Sequence, residues 1–189
     1  MTFLQKSMLL LALIWLQGCG EYFVLSTPST PQSTLKSISS DLTIGVEEVR
    51  LPKYLFKREI AVANSRSHVS FLSNAQWAED LDEGLTRRLV AYLQRKLNTP
   101  RVFAYPWGVE EQPRYVLLLT INQFVKQNGR VYLDAAWQIR NTRTQSSIAR
   151  RYQTEVVAGD SASEIVDAMD RAFMQLEEAI GDSVAMVAR

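Results

Sequence analysis

Residues 114–140, RYVLLLTINQFVKQNGRVYLDAAWQIR, decide the fold. The run Val116-Leu117-Leu118-Leu119 is apolar at every position. A strand over Arg114–Lys126 is therefore covered on both faces and belongs in the middle of a sheet. Asn128-Gly129 is the strongest short-range hairpin signal, because both residues accept the positive φ of a two-residue turn. The return strand alternates: Val131, Leu133, Ala135, Trp137 and Ile139 take one face. Tyr132, Asp134, Gln138 and Arg140 take the other. One dry face needs a second layer laid over it.

Two helical stripes supply that layer. Trp77, Leu81, Leu85, Leu89, Leu93 and Leu97 recur in steps of four, with Tyr92 beside them, and predict a helix over Trp77–Leu97. Asp80, Glu83, Arg87, Arg88 and Arg95 take its other faces. Ser73 and Gln76 have capping-box spacing ahead of it, and Asn98-Thr99-Pro100 stops it. Ile165, Met169, Phe173, Leu176 and Ile180 form the second stripe. Ser161 and Glu164 are spaced to cap its start, and Gly181 is a natural end.

Working outward, Tyr22–Leu25 and Leu42–Leu51 predict strands, the second interrupted at Pro52. Glu59–Ala63 and Val69–Leu72 predict a hairpin through Asn64-Ser65-Arg66-Ser67. Val102–Tyr105 predicts a short strand, and a further strand runs to about Val157. Ser26–Ser40, rich in serine, threonine and proline, reads as a connector. The expectation is one α+β domain, a mainly antiparallel sheet with two amphipathic helices packed on one face.

The amino-terminal residues bear on location. Lys6 precedes a nearly unbroken apolar run, Met8–Leu16, followed by Leu16-Gln17-Gly18-Cys19. A run of about nine residues is too short to span a bilayer, which takes about twenty, and has the form of a secretory signal. With the cysteine it resembles the bacterial lipobox. That resemblance implies a signal peptide over residues 1–18, diacylglyceryl and acyl (palmitate-type) modification of Cys19, and a periplasmic domain over residues 19–189. Gly20, in place of an aspartate, resembles the outer-membrane class. A strand three residues past the lipid leaves a tether of roughly 10 Å.

Composition excludes several chemistries. Lys6 is the only one of 21 basic residues in the signal, so 20 basic face 20 acidic residues in the remainder. A balanced chain offers no field for nucleic acid. Cys19 is the only cysteine and His68 the only histidine. Disulfides, cysteine–zinc sites and thiol nucleophiles drop out, and His68 has no second histidine with which to share a metal. Asp134 lies on the polar face of its strand without an identifiable partner, and the pair Glu110-Glu111 reads as solvated. Neither a catalytic set, a metal site nor a cofactor is expected. Val102-Phe103-Ala104-Tyr105-Pro106-Trp107 has two readings. Phe103, Tyr105 and Trp107 either form a partner contact or cap the open end of the core.

Taken in order, several elements resemble the PqiC-type (YmbA-like) auxiliary lipoproteins of ABC-type, MCE-associated transport systems. They are the aromatic strand Tyr22-Phe23-Val24-Leu25, the element Leu51-Pro52-Lys53-Tyr54-Leu55, and the isoleucine strand around Ile60. Trp77-Ala78-Glu79 with Leu81 and the Gly159-Asp160 loop before Ala168 complete the set. Departures fall at Arg58 and Glu59, where proline and glutamine are usual, and at Asp80, where proline is usual. The resemblance implies a noncatalytic lipoprotein at the outer-membrane end of a lipid pathway. Its partners would be an MCE-type periplasmic tunnel protein and the inner-membrane permease, and a homo-oligomeric ring would suit a tunnel. The residues themselves leave open an assembly lipoprotein of another envelope machine, or an envelope hydrolase using a carboxylate pair.

Overall fold

The computed structural model describes residues 20–25, 42–65, 67–108 and 112–187. Its elements are β1 (Glu21–Phe23), β2 (Ile44–Val46), a 3₁₀ turn (Lys53–Phe56), β3 (Glu59–Ser65), β4 (His68–Trp77), α1 (Leu81–Lys96) and β5 (Val102–Ala104). β6 (Tyr115–Gln127), β7 (Arg130–Asn141), β8 (Ser147–Val157) and α2 (Ala162–Val187) follow. The signal peptide, Cys19, the connector Ser26–Ser40 and Glu110-Glu111 lie outside the described residues.

β6 is the central strand, as its apolar run requires. β7 pairs with it antiparallel from Tyr115↔Asn141 to Gln127↔Arg130, and β8 continues antiparallel beyond β7. The other edge of β6 is shared. β2 lies parallel beside Tyr115–Leu117, and β3 meets Lys126 through Val62. The sheet therefore forks, one branch continuing to β5 and the other through β4 to β1. The long ladders are antiparallel; each parallel one spans three residues or fewer. Asn128 and Gly129 both have positive φ, as their hairpin requires.

Val131, Leu133, Ala135, Trp137 and Ile139 are all buried, with Leu117, Leu119, Ile121 and Phe124 beside them. α2 lies across β6, β7 and β8 on this face, and α1 packs beside it. The cap at Ser161 is formed: the Glu164 N–H donates to Ser161 Oγ at 3.3 Å, and the Ser161 N–H donates to Glu164 Oε2 at 3.1 Å. Among the described residues no helix is long and apolar enough to cross a membrane.

Four boundaries differ from expectation. The first helix starts at Leu81, not Trp77; Ser73–Trp77 continue β4, because β1 pairs with Ala75–Trp77 and extends that strand. Leu42–Leu51 contributes only β2. After it the chain arches, and Arg50 rejoins as an isolated bridge to Thr120. Lys53–Phe56 form a 3₁₀ turn that periodicity does not signal. Gly181 lies inside α2, where a Cβ would come 3.0 Å from Tyr92 Cε1, so it serves helix contact and not helix termination.

Candidate functional site

Gly20 is exposed, and from Glu21 the chain is tied to the sheet by β1, parallel to Ala75–Trp77. The Ala78 N–H donates to the Phe23 carbonyl at 2.8 Å and closes the ladder. Phe23 is half-buried, while Tyr22 and Val24 stay exposed. Residue 19 thus lies two residues from a fixed strand. Beyond Ala75 the outer edge of β4, His68–Asn74, has no strand partner among the described residues.

At the other fork, the aromatic stretch divides between its two readings. Trp107 lies over Gly45 of β2. A Cβ there would stand 2.7 Å from the indole Cζ3 and 2.5 Å from Pro113 Cγ, so only glycine leaves room. The Trp107 Nε1–H donates to Gln112 Oε1 at 3.2 Å, and its ring meets Tyr105 edge-on, centroids 5.1 Å apart. Trp107 is therefore a cap. Phe103 and Tyr105 are outward, 43% and 62% exposed, and these two form the available apolar surface. Gly45→Ala is expected to lift Trp107 and cost about 1–3 kcal/mol, the usual range for overpacking. A lowered melting temperature together with a red shift in tryptophan fluorescence checks it.

His68 is exposed at the start of β4. Asp134 stands on the outer sheet face, accepting from Arg151 Nη2 at 2.6 Å, Gln153 Nε2 at 2.9 Å and Asn122 Nδ2 at 3.4 Å. The Arg151 guanidinium holds its carboxyl down at about 2, so it is a fixed anion and unsuited to proton transfer at neutral pH. Among the described residues no group of three His, Asp or Glu side chains is placed to hold a metal.

Sequence reading missed the principal buried charges. Arg88, on α1, has a side chain 3% exposed and meets Glu177 of α2 with Nε at 3.2 Å and Nη2 at 3.1 Å. It also pairs with Asp170, and its guanidinium lies 5.1 Å from the Phe173 ring centroid. Glu177 is wholly buried, and burial pushes its carboxyl up to about 7 against the pull of Arg88. The signal was present: Arg88 follows Leu85 by three, and Glu177 follows Phe173 by four, so both occupy the apolar stripes. A charge in such a phase is buried and needs a partner on the facing helix.

Residues 23–181 match the family model described as the ABC-type transport auxiliary lipoprotein component. No curated protein matches the sequence. Protein XCC0632 from Xanthomonas campestris, of DUF330, superposes with a TM-score of 0.74 at 12% identity, over 86% of this chain and 93% of its own. The crystal structure of an uncharacterized protein superposes at 0.72 with 22% identity, over 87% and 98% of the respective chains. At these identities the likeness is one of fold.

Proposed function

The chain belongs to the family of ABC-type transport auxiliary lipoprotein components, and from that premise we propose that it docks an MCE-type periplasmic tunnel protein, served by an inner-membrane permease, against the outer membrane. Lipid on Cys19 is the anchor. The observation that carries this reading is the position of β1. A lipid on residue 19 stands only two residues from a strand hydrogen-bonded into the sheet, so the domain sits against the bilayer. It acts by binding and not by catalysis: Asp134 is held as an anion by three donors, and His68 stands at an exposed strand end. Exposed Phe103 and Tyr105 offer apolar contact area, which carries much of the energy of protein docking.

The test is purification of the native lipoprotein from envelopes, with mass spectrometry of its mature amino terminus. The expected result is a triacylated Cys19, outer-membrane fractionation and co-purification of the tunnel protein. A mature start elsewhere removes the anchor. A partner set drawn from another envelope machine removes the docking role. His68→Ala should still complement; a folded variant that binds its partner yet fails would argue for chemistry.

A further inference from the structure

A groove of about 670 Å³ opens between the first turn of α1, the 3₁₀ turn and the end of β5. Its floor follows from the arch after β2. The Glu47 N–H donates to the Leu117 carbonyl and the Arg50 N–H to the Leu119 carbonyl, both at 2.9 Å. Two residues intervene where one would keep the strand flat. Val49 turns inward, 1% exposed, and Glu48 turns outward. Thr86 clamps the arch onto α1: its hydroxyl donates to the Asp82 carbonyl at 2.7 Å and accepts the Val49 N–H at 2.9 Å.

The groove has a marked charge imbalance. Asp82, Glu47 and Glu48 line it, against Arg50 alone, which reaches Glu47 at 3.4 Å. Asp82 is the informative member. It is only 8% exposed, it lines the groove, and its carboxylate has no hydrogen-bond or ion-pair partner among the described residues. Its oxygens open onto the groove, and no side chain among the described residues answers their charge. Its place in the first turn of α1 offsets part of that charge through the helix dipole. The remainder is open to a cation entering the groove. Phe56 and Tyr105 flank the opening, 56% and 62% exposed, and aromatic faces beside carboxylates are the surroundings a guanidinium or ammonium prefers.

We propose that this groove receives an arginine or lysine side chain from a protruding segment of a partner protein, with Asp82 and Glu48 meeting the charge and Phe56 and Tyr105 flanking its stem. A phospholipid ammonium is disfavoured, because the adjacent phosphate would face Glu47 and Glu48. The inference rests on the docking role proposed above only in taking the protein to act by binding; it does not depend on which machine supplies the segment.

The full-length lipoprotein carrying p-benzoylphenylalanine in place of Phe56 is crosslinked by light in its native envelope, and the captured peptide is sequenced. The expected product is a peptide of one partner protein with arginine or lysine within a few residues of the crosslink. Asp82→Asn with Glu48→Gln should lower its yield at least about tenfold, since both carboxylates that meet the charge are lost. Glu48→Gln alone, at an exposed position, serves if the double variant melts lower. Capture of phospholipid, of a second copy of this chain, or of nothing overturns the proposal, as does a yield indifferent to both substitutions. If the basic peptide comes from outside an MCE transport machine, the groove stands and the docking role falls. If the tunnel protein co-purifies while the crosslink yields no basic peptide or is indifferent to the substitutions, the groove falls and the docking role stands.

Discussion

Arg88→Ala should destabilise the domain by about 3–5 kcal/mol, the usual cost of removing one partner from a buried ion pair. The guanidinium is the counter-ion that Glu177 and Asp170 meet directly. Without it Glu177, wholly buried in a dry contact between two helices, must either carry an unanswered charge or take up a proton, and either is costly at pH 8. Urea denaturation at pH 8 measures the loss. At pH 5 the loss should be smaller, because Glu177 is then protonated with or without Arg88 and no longer needs a counter-ion. The double substitution Arg88→Leu with Glu177→Leu should recover most of the stability, since apolar pairs of similar volume replace buried ion pairs at little cost. A loss below about 1 kcal/mol in Arg88→Ala would show that the contact between α1 and α2 does not depend on this pair. The unsubstituted protein carries a related signature. Burial raises the Glu177 carboxyl from 4.5 to about 7. The folded state keeps a proton there that the unfolded chain has lost, so this group's contribution declines as pH rises through that interval and then levels. Glu177→Gln should flatten the decline.

Leu85→Asp should abolish folding at 25 °C. Leu85 is fully buried at the middle of α1, within the core that α1 and α2 share with the sheet. An unpaired carboxylate there costs several kcal/mol even after relaxation, and a domain has only about 5–15 kcal/mol to lose. Loss of the cooperative transition by circular dichroism is the expected reading. An unchanged melting temperature would mean that this stripe does not face the core.

What the residues revealed in advance was the local part. Val116–Leu119, Asn128-Gly129 and the alternation from Val131 to Ile139 each draw their meaning from neighbours in the chain, and the hairpin they describe is the backbone of the sheet. So does Ser161 with Glu164. Trp77 misled because a period of four fits both a last strand residue and a first helical one. What decided it was β1, more than fifty residues away, pairing at Ala75–Trp77. Gly181 misled for the same kind of reason, its neighbour being Tyr92 on another helix. The aromatic stretch was legible as a surface feature, but its division was not. Trp107 is turned inward by the bare backbone of Gly45, and no spacing links the two. The groove around Asp82 left no trace at all, since its members come from four separate segments.

The direction of β1 has a mechanical consequence. It runs parallel to β4, so a pull entering at residue 20 along the strand loads all the β1–β4 hydrogen bonds together in shear, whereas a pull across the strand would open them one at a time. The ladder is only three residues long, and Phe23 is its one partly buried apolar anchor. Force transmitted from a membrane would therefore be borne rigidly up to a threshold. It would then be released by the loss of one short strand, with the β6–β7–β8 sheet and both helices left standing.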